Sequence, residues 1–434
     1  MKMKASLVLL FLLPAFGLFA QSDSHAKTST AAADVEAKVI EWRHHLHQHP
    51  ELSNREFETG KYIAAHLKRL GMEVRENVAH TGVVGILKGD KPGGVITLRA
   101  DMDGLPVTEA VDLPWASKVK TTFLGKEVGV MHACGHDTHV AMLMGAAEVL
   151  TRRKADIEGT VVFLFQPAEE GAPEGEEGGA ELMVKEGVLK DPKVDVAFGI
   201  HINAQTPVGQ VNYKPGGTMA ASNTFEIKVT GKQAHGSRPW KSVDPIVVAA
   251  QIIMSLQTIV SRQTELTKEA AVITVGKIDG GVRSNIIPSE VNMLGTIRTL
   301  DEDMKADIFE RIDRTAVNIA AASGATAEVT IRKGYPVTFN DPAITRRLMP
   351  IVANTVGEDN INLIRAITGA EDFSFYAREV PGLFVFLGGL DPAKKPTDVG
   401  GHHTPTFEID DRALKYGVEL YTNVALDYLS GAGQ

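Results

Sequence analysis

Five short, continuously apolar runs alternate with helical segments along most of this 434-residue chain. The runs cover residues 82–87, 95–100, 160–165, 194–200 and 383–387. Strands that are apolar on both faces are typical of a parallel sheet covered by helices on both sides. Helical patterns cover residues 34–49, with Asp34 as N-cap, and residues 57–70, 138–153 and 410–429. The sequence therefore predicts an α/β domain with a central, mostly parallel sheet flanked by helices.

The pattern changes in the middle of the chain. Between residues 222 and 332, alternating apolar and polar residues mark strands, and two amphipathic helices separate them in the order β-α-β-β-α-β. The α/β pattern then resumes. We therefore expect a second, ferredoxin-like βαββαβ domain at residues 219–332, inserted into a discontinuous first domain at 34–218 and 333–431.

The N-terminus carries an export pattern. Lys2 and Lys4 precede an apolar stretch that reaches Phe19 and ends at the small residue Ala20, which predicts a signal peptide at residues 1–20. A membrane anchor is the alternative, but the stretch is short and contains Pro14. We expect a cleaved leader, a periplasmic or secreted protein and no stable membrane insertion.

The formal net charge of −9 disfavours a nucleic-acid partner. A hydrophobic content of 44% is that of a folded protein, and the length favours two domains.

Cys134 is the chain's only cysteine, so it has no disulfide partner within the chain. It lies in the run HACGHDTH at residues 132–139, among three histidines and an aspartate. A single thiol beside several imidazoles in an exported protein favours metal ligation.

Further polar side chains follow the predicted strands. Because the carboxyl ends of parallel strands meet at one sheet edge, these side chains are expected to lie together rather than to be scattered loop polar groups. They are Asp101, Asp103, Glu169, Glu170, His201, His402 and His403.

A metal-ligand set can be chosen from these residues. One thiolate, three imidazoles and one carboxylate suit zinc, cobalt or manganese better than calcium or magnesium. Five ligands are too many for one tetrahedral ion, so two divalent metal ions per subunit fit better. The proposed ligands are Cys134, His136, Glu170, His201 and His403.

Glu169 stands beside the ligand Glu170 and is predicted to be the general base that takes a proton from a metal-activated water. The alternative is that the two glutamates form an exposed pair. Asp101 is predicted to orient an imidazole through its other ring nitrogen. The four histidines at positions 44, 45, 47 and 49 end a helix, and a structural role is favoured for them.

Five separated motifs resemble the amidohydrolase branch of the dinuclear-metal aminoacylase and carboxypeptidase family. That branch contains hippurate hydrolases, N-acetyl-amino-acid deacetylases and indole-acetyl-amino-acid hydrolases. The resemblance covers nearly the whole mature chain. The motifs are LRADMDGLP at 98–106, HACGHDTH at 132–139, QPAEEG at 166–171, GKQAHGSRP at 231–239 and HTP at 403–405.

The resemblance implies the same five metal ligands and Glu169 as general base. It also implies that the inserted domain is a lid that often forms a homodimer interface and that supplies a histidine, here His235, to the substrate carbonyl. Asn285 and Arg298 of that domain are candidates for the substrate carboxylate, since an arginine fork matches its geometry. Hydrogen bonding on the strand surface is the alternative for these two residues.

Two departures from the carboxypeptidase branch stand out. That branch has His-x-Asp where this chain has Arg99-Ala100-Asp101, and a bridging aspartate in the Cys134 segment. The expected activity is hydrolysis of the amide of a small N-acyl amino acid. A dipeptidase or carboxypeptidase activity is the alternative, and a non-catalytic periplasmic binding protein is a third. The acyl group, the amino acid and the native metal stay open.

Overall fold

The computed structural model describes residues 13–431, with side chains from residue 23 onwards, and it divides into two compact units. Unit 1 comprises the chain up to residue 212, residues 343–362 and the residues from 384 on. Unit 2 comprises residues 213–342 and 363–383. The segment predicted to be an inserted domain, 219–332, lies within unit 2.

Unit 1 places helices on an eight-stranded sheet. Its helices are α1 (Leu13–Gln48), α2 (Phe57–Arg69), α3 (His136–Arg152), α4 (Gly179–Lys185), α7 (Pro342–Val356) and α9 (Arg412–Leu429). Its strands, in spatial order, are β1 (Glu73–Val78), β2 (Gly82–Lys88), β6 (Glu158–Gln166), β3 (Lys91–Asp101), β7 (Val196–Pro207), β18 (Gly382–Leu390), β8 (Val211–Tyr213) and β17 (Ile361–Leu363). A separate hairpin contains β4 (Lys120–Phe123) and β5 (Lys126–Gly129).

The central sheet is mixed. β3 runs parallel to β6 and β7, but β2 runs antiparallel to β1 and β6, and β18 runs antiparallel to β8. A tight turn joins β1 to β2, with Ala79 at φ 48° and His80 at φ 78°, which reverses the chain at this sheet edge. The α/β fold class is confirmed, and the sheet is mixed rather than mostly parallel.

Three long helices form a layer on the sheet. A Cβ added at Gly145 of α3 would lie 2.7 Å from Val39 of α1 and 2.7 Å from Val418 of α9, so only glycine permits this close approach. The Tyr421 hydroxyl of α9 donates to the Arg99 carbonyl of β3 at 2.6 Å. These contacts fix the helices over β3, whose end carries the candidate site.

Helix α1 begins well before the predicted start. Thr28 and Ala32 are fully buried, and His25 hydrogen-bonds Asp427 of α9 at 2.8 Å. This packing holds the earlier turns helical, so Asp34 lies inside the helix and does not cap it. Residues 1–12 of the predicted signal peptide lie outside the described residues, residues 13–20 begin α1, and cleavage stays a prediction.

Unit 2 contains a four-stranded antiparallel sheet with two helices packed on it. Alternate residues of its strand 221–230, such as Phe225 and Ile227, pack with Ile252 and Ile312 in one hydrophobic core. The sheet order is β12-β14-β10-β15. The elements of unit 2 are β9 (Gly216–Met219), β10 (Ala221–Thr230), β11 (Ala234–His235), α5 (Pro245–Thr258), β12 (Ala271–Gly280), β13 (Ile286–Ile287), β14 (Glu290–Thr299), α6 (Glu302–Ala322), β15 (Thr326–Lys333), β16 (Thr338–Asn340) and α8 (Ser374–Glu379).

Among the described residues, one helical segment is long and apolar enough to cross a membrane by length and composition alone. It spans Pro245–Gln263, with a hydropathy of 1.4. However, Val248, Ile252 and Leu256 of this segment are buried in the core of unit 2. Packing against the sheet explains the apolar residues on that face, whereas Ile246, Val247 and Met254 are exposed.

Candidate metal centre

The strand register of unit 1 gathers the predicted site residues. β3 lies between β6 and β7, and all three run parallel. Asp101 is paired with Gln166, so the loop that carries Glu169 and Glu170 leaves the sheet beside Asp101. Arg99 is paired with Gly199, which brings His201 of β7 to the same edge. The carboxyl ends of β3 and β6 thus deliver carboxylates, and the middle of β7 delivers an imidazole, to one place.

The Cys134 segment reaches this edge through a glycine turn. Gly135 has φ 94° and directly precedes α3, and a Cβ there would lie 2.3 Å from Ile202. Only glycine fits this left-handed, crowded position. The backbone N–H of His403 donates to the Ala133 carbonyl at 2.8 Å, which ties the loop around His403 to the same turn.

The five predicted ligands come together in two overlapping groups. In each group the donor atoms lie within 4.8 Å of one another, and both groups contain the Cys134 thiol. The thiol sulfur lies 3.4 Å from His201 Nε2, and His403 Nε2 lies 3.0 Å from Glu170 Oε1. One group is Cys134, His136 and His201, and the other is Cys134, Glu170 and His403.

His136 shows that these residues suit a metal ion. Its Nδ1 lies 3.1 Å from Asp103 Oδ1, which favours the tautomer with the proton on Nδ1. Its Nε2 is buried without a hydrogen-bond partner among the described residues, and it lies 3.8 Å from Glu169 Oε2 and 4.0 Å from Glu170 Oε1. Asp101 Oδ2 is also 3.8 Å away, and a buried ring nitrogen that faces three carboxylates fits a divalent cation.

The electrostatics of the site also favour a bound cation. Burial, followed by the nearby Glu170 and Glu169, raises the pKa of the Cys134 thiol well above its usual value. Burial favours the neutral form of His136, but Asp101 and Asp103 outweigh it and raise the pKa of that imidazole to about 10. A bound cation would displace both protons and balance the surrounding carboxylates.

His402 lies beside the chosen His403. Its Nδ1 is 3.7 Å from the Cys134 sulfur, and its Nε2 accepts a hydrogen bond from the Ala204 N–H at 3.3 Å. The contact to backbone holds the His402 ring against β7, whereas His403 points its Nε2 at Glu170.

Asp103 organises the two glutamates, a role that the sequence did not reveal. Its Oδ1 accepts a hydrogen bond from the Glu169 N–H at 3.2 Å, and its Oδ2 accepts from the Glu170 N–H at 3.0 Å. The same carboxylate contacts His136. Asp103 therefore holds the ligand His136, the candidate base Glu169 and the ligand Glu170 in fixed positions relative to one another. Its position just after a strand end was the available signal.

Asp101 contacts the imidazole of His139, which is not one of the five candidate ligands. Its Oδ1 hydrogen-bonds His139 Nδ1, and its Oδ2 accepts from Arg99 at 2.7 Å. His139 Nε2 in turn accepts from the Ile202 N–H at 2.7 Å, next to His201. The carboxylate on Nδ1 of His136 is that of Asp103.

Glu56 supports the turn that presents Glu169. Ala168 has φ 53°, a conformation rarely adopted by residues with a Cβ. Glu56 accepts hydrogen bonds from the Ala168 N–H at 2.9 Å and from the Thr81 hydroxyl at 2.6 Å. Burial and the nearby Asp103 raise the pKa of Glu56 to about 8. No local motif could have revealed this contact, because 112 residues separate Glu56 from Ala168.

Three predicted residues belong to unit 2. His235 lies on β11 opposite β13, and the Gly236 N–H donates to the Asn285 carbonyl at 2.8 Å, so His235 and Asn285 are neighbours. Arg298 lies on β14 of the four-stranded sheet and is partly buried. Burial lowers its pKa, and no salt bridge of the described residues involves it. The roles of these three residues in substrate binding stay predictions.

A buried charge network lies behind His136. The His47 ring contacts Asp137 Oδ2 at 2.9 Å through Nδ1 and Glu109 Oε1 at 3.1 Å through Nε2. Arg43 donates to the same Asp137 oxygen at 3.1 Å. Burial favours neutral His47, but the two carboxylates outweigh it and raise its pKa to about 9. The favoured structural role of this histidine is consistent with these contacts.

The His47 network predicts a pH-dependent stability. The pKa of His47 is raised from 6.5 to about 9. The contribution of the protonated imidazole to the free energy of unfolding is therefore complete below pH 6.5 and is lost as the pH rises through 9. The shift corresponds to roughly 3 kcal/mol. In metal-free protein, the stability advantage of wild type over His47→Asn should be larger at pH 6 than at pH 9.5, as measured by urea unfolding.

His49→Asn provides the matched control, since this exposed histidine contacts the backbone carbonyl of His45. It should leave the pH profile of the wild type intact. If the free energies of unfolding of wild type and His47→Asn change in parallel with pH, the folded protein does not hold a proton on His47 at a raised pKa.

Comparison with known proteins agrees with this geometry. The model of peptidase family M20/M25/M40 matches residues 97–427. Thermostable carboxypeptidase 2 of Saccharolobus solfataricus is 39% identical over 93% of this chain and 98% of its own length. N-acetyl-L-cysteine deacetylase of Bacillus subtilis is 39% identical over 88% of this chain and 85% of its own length.

A solved structure gives the same result. The Bacillus subtilis YxeP protein, described as a dinuclear metal binding peptidase from the M20 family, has a TM-score of 0.76 and 34% identity. The match covers 92% of this chain and 99% of that one. The predicted resemblance and the prediction of a metal-dependent hydrolase are confirmed. This chain belongs to peptidase family M20/M25/M40.

Proposed function

We propose that this protein hydrolyses the amide bond of N-acyl amino acids and releases a carboxylic acid and a free amino acid. The observation that carries the proposal is the position of Glu169. Its carboxylate is buried, lies 3.8 Å from the unpartnered Nε2 of His136, and is adjacent in sequence to the candidate ligand Glu170. A carboxylate placed among candidate metal ligands is suited to general-base catalysis.

The proposed chemistry requires two divalent ions, held by the two ligand groups that share Cys134. Zinc, manganese and cobalt all suit this donor set. When bound, such ions lower the pKa of water and polarise a carbonyl. Glu169 would take the proton from the attacking water as the C–O bond forms. It would then give that proton to the amine nitrogen as the C–N bond breaks.

The fixed backbone around Glu169 supports this role. Asp103 accepts from its N–H, and Glu56 accepts from the N–H of the preceding Ala168. A base whose backbone is held on both sides can keep one orientation through both proton transfers, which lowers the reorganisation needed at each step.

Peptide-bond cleavage is the second candidate. The carboxypeptidase relative is as similar to this chain as the deacetylase relative, at 39% identity each. The same residues could act on either amide. We favour N-acyl amino acids because a cysteine stands in the segment where the carboxypeptidase branch is expected to have an aspartate.

A substrate panel tests the proposal. Chelated protein is reloaded with zinc, manganese or cobalt in turn and offered hippurate, N-acetyl-amino acids and dipeptides, and the free amino acid released is measured. We expect at least about tenfold faster release from the N-acyl compounds. Cleavage of dipeptides alone would favour the peptidase, and recovery of every amide intact after metal loading would favour a binding protein.

The predicted leader supports a further proposal, that this hydrolase works in the periplasm or outside the cell. Lys2, Lys4 and the apolar stretch that follows them support export. N-terminal sequencing of the mature protein would test it, and retention of residues 1–20 on a soluble cytoplasmic product would contradict it.

A further inference from the structure

We propose that an apolar pocket in unit 1, beside Glu170, binds the acyl chain of the substrate and selects long, uncharged acyl groups. The proposal rests on the proposed function and extends it to a substrate class. The pocket has a volume of about 710 Å³, a size typical of small-molecule sites. Glu170 is one of the residues that line the pocket, so the pocket lies beside a candidate metal ligand.

The pocket has an apolar side, and five charged residues line it as well. Leu52, Leu105, Val119 and Val130 line it, and the β4–β5 hairpin adds Phe123 and Leu124. Phe123 is 38% exposed and Leu124 is 82% exposed. An apolar ligand in the pocket would cover these side chains. Because burial of apolar surface lowers the free energy, this contact would favour binding.

Leu124 occupies a conformation that its residue type disfavours. It is the first of the two residues, Leu124 and Gly125, that connect paired Phe123 and Lys126. Its φ is 48°, and that of Gly125 is 76°. Two-residue hairpin turns with positive φ at both positions favour asparagine, aspartate or glycine. An exposed leucine held in a strained backbone position at a pocket rim points to a binding role.

The charges of the pocket indicate which end of the substrate it takes. Its two cations are already paired, because Arg55 binds Glu176 at 2.5 Å and Lys120 binds Glu127 at 3.1 Å. Glu51 and Glu174 add negative charge to the wall. These charges would repel the carboxylate of an N-acyl amino acid, so the uncharged acyl chain is the end that fits.

The acidic segment after Glu170 is part of this pocket. Gly171, Ala172, Pro173 and Glu174 line it. The segment is tied back by Asn54, whose amide donates to the Glu177 carbonyl at 3.0 Å. This tether holds the wall in place beside the candidate metal ligand.

The test uses the acetyl, hexanoyl and octanoyl derivatives of glycine, with N-acetylphenylalanine as the compound whose apolar group lies on the amine side. Dissociation constants are measured by calorimetry on metal-loaded Glu169→Gln protein, and KM is measured on the wild type. Each buried methylene is worth about fourfold in affinity, so octanoylglycine should bind at least about 100-fold more tightly than acetylglycine.

Leu124→Asn is the decisive variant, because asparagine suits the left-handed turn and should not lower the thermal stability. It should weaken binding of octanoylglycine by about tenfold and leave that of acetylglycine within about twofold. Phe123→Ala should act in the same direction. The matched control is Leu266→Asn, at an exposed leucine of unit 2 that does not line the pocket.

Binding that is independent of chain length would overturn the proposal, and so would a Leu124→Asn effect confined to N-acetylphenylalanine. Hydrolysis of acetylglycine without any gain from longer chains would leave the proposed function standing and the pocket assignment wrong. Chain-length-dependent binding without turnover of any derivative by the wild type would support the pocket and contradict the hydrolase proposal.

Discussion

Glu169→Gln is expected to lower kcat for a cleaved N-acyl amino acid by about 1,000-fold, the middle of the range for removal of a general base. The glutamine keeps the size of the side chain but cannot take a proton from water. It also leaves the N–H of residue 169 free to donate to Asp103, so the turn should keep its shape. The measurement is steady-state kinetics on metal-loaded protein.

Metal content and fold are the controls for this result. Because the two candidate ligand groups that share Cys134 do not include Glu169, the variant should hold nearly the same amount of metal per subunit as the wild type. Glu177→Gln changes an exposed glutamate that pairs with Lys185 and should retain full activity. Residual activity above about a tenth of the wild-type rate in Glu169→Gln would exclude Glu169 as the base.

Cys134→Ser is expected to lose metal before it loses the fold. The thiol belongs to both ligand groups, so its replacement weakens both at once. A serine hydroxyl is a poor ligand for zinc or cobalt beside imidazoles, since these metals favour thiolate. We expect metal content per subunit to fall by at least half after dialysis and kcat to fall by more than about 100-fold.

Stability measured in a chelator separates the two effects. The metal-free thiol is buried, and Cys-to-Ser substitution changes its size only slightly. The unfolding free energies of metal-free wild type and variant should therefore agree within about 1–2 kcal/mol. A variant that binds metal as tightly as the wild type would remove Cys134 from the centre, and one that unfolds without metal would make the thiol a structural residue.

The sequence located the candidate ligands because their placement depends on short-range rules. Cys134 and His136 flank a glycine that directly precedes a helix, and Glu170 follows a strand of a sheet whose carboxyl ends share one edge. His201 was expected at a strand end but lies inside β7, which continues to Pro207. These rules apply to each segment separately. They required no knowledge of how distant segments pack.

Features that depend on long-range packing were harder to predict. Glu56 supports Ala168 across 112 residues, and the β2 strand joins β6 antiparallel at a sheet that the apolar runs indicated to be parallel. Continuously apolar runs report burial on both faces, but they carry no strand direction. The early start of α1 likewise depends on contacts with α9, near the other end of the chain.

The Leu124 pocket shows a different limit. A Leu-Gly pair is a weak turn signal, since leucine is not a residue that favours positive φ. The positive φ of Leu124 is seen only in the geometry of the hairpin. That Leu124 and Glu170 line the same pocket is seen only in the folded unit.

The most direct test of a two-metal hydrolytic centre is a titration. Chelated wild-type protein is given increasing amounts of manganese or zinc, and the free amino acid released from an N-acyl amino acid is followed. Two overlapping ligand groups that share Cys134 predict that activity rises until about two equivalents per subunit are bound. Full activity at one equivalent, or none at any metal content, would contradict the account.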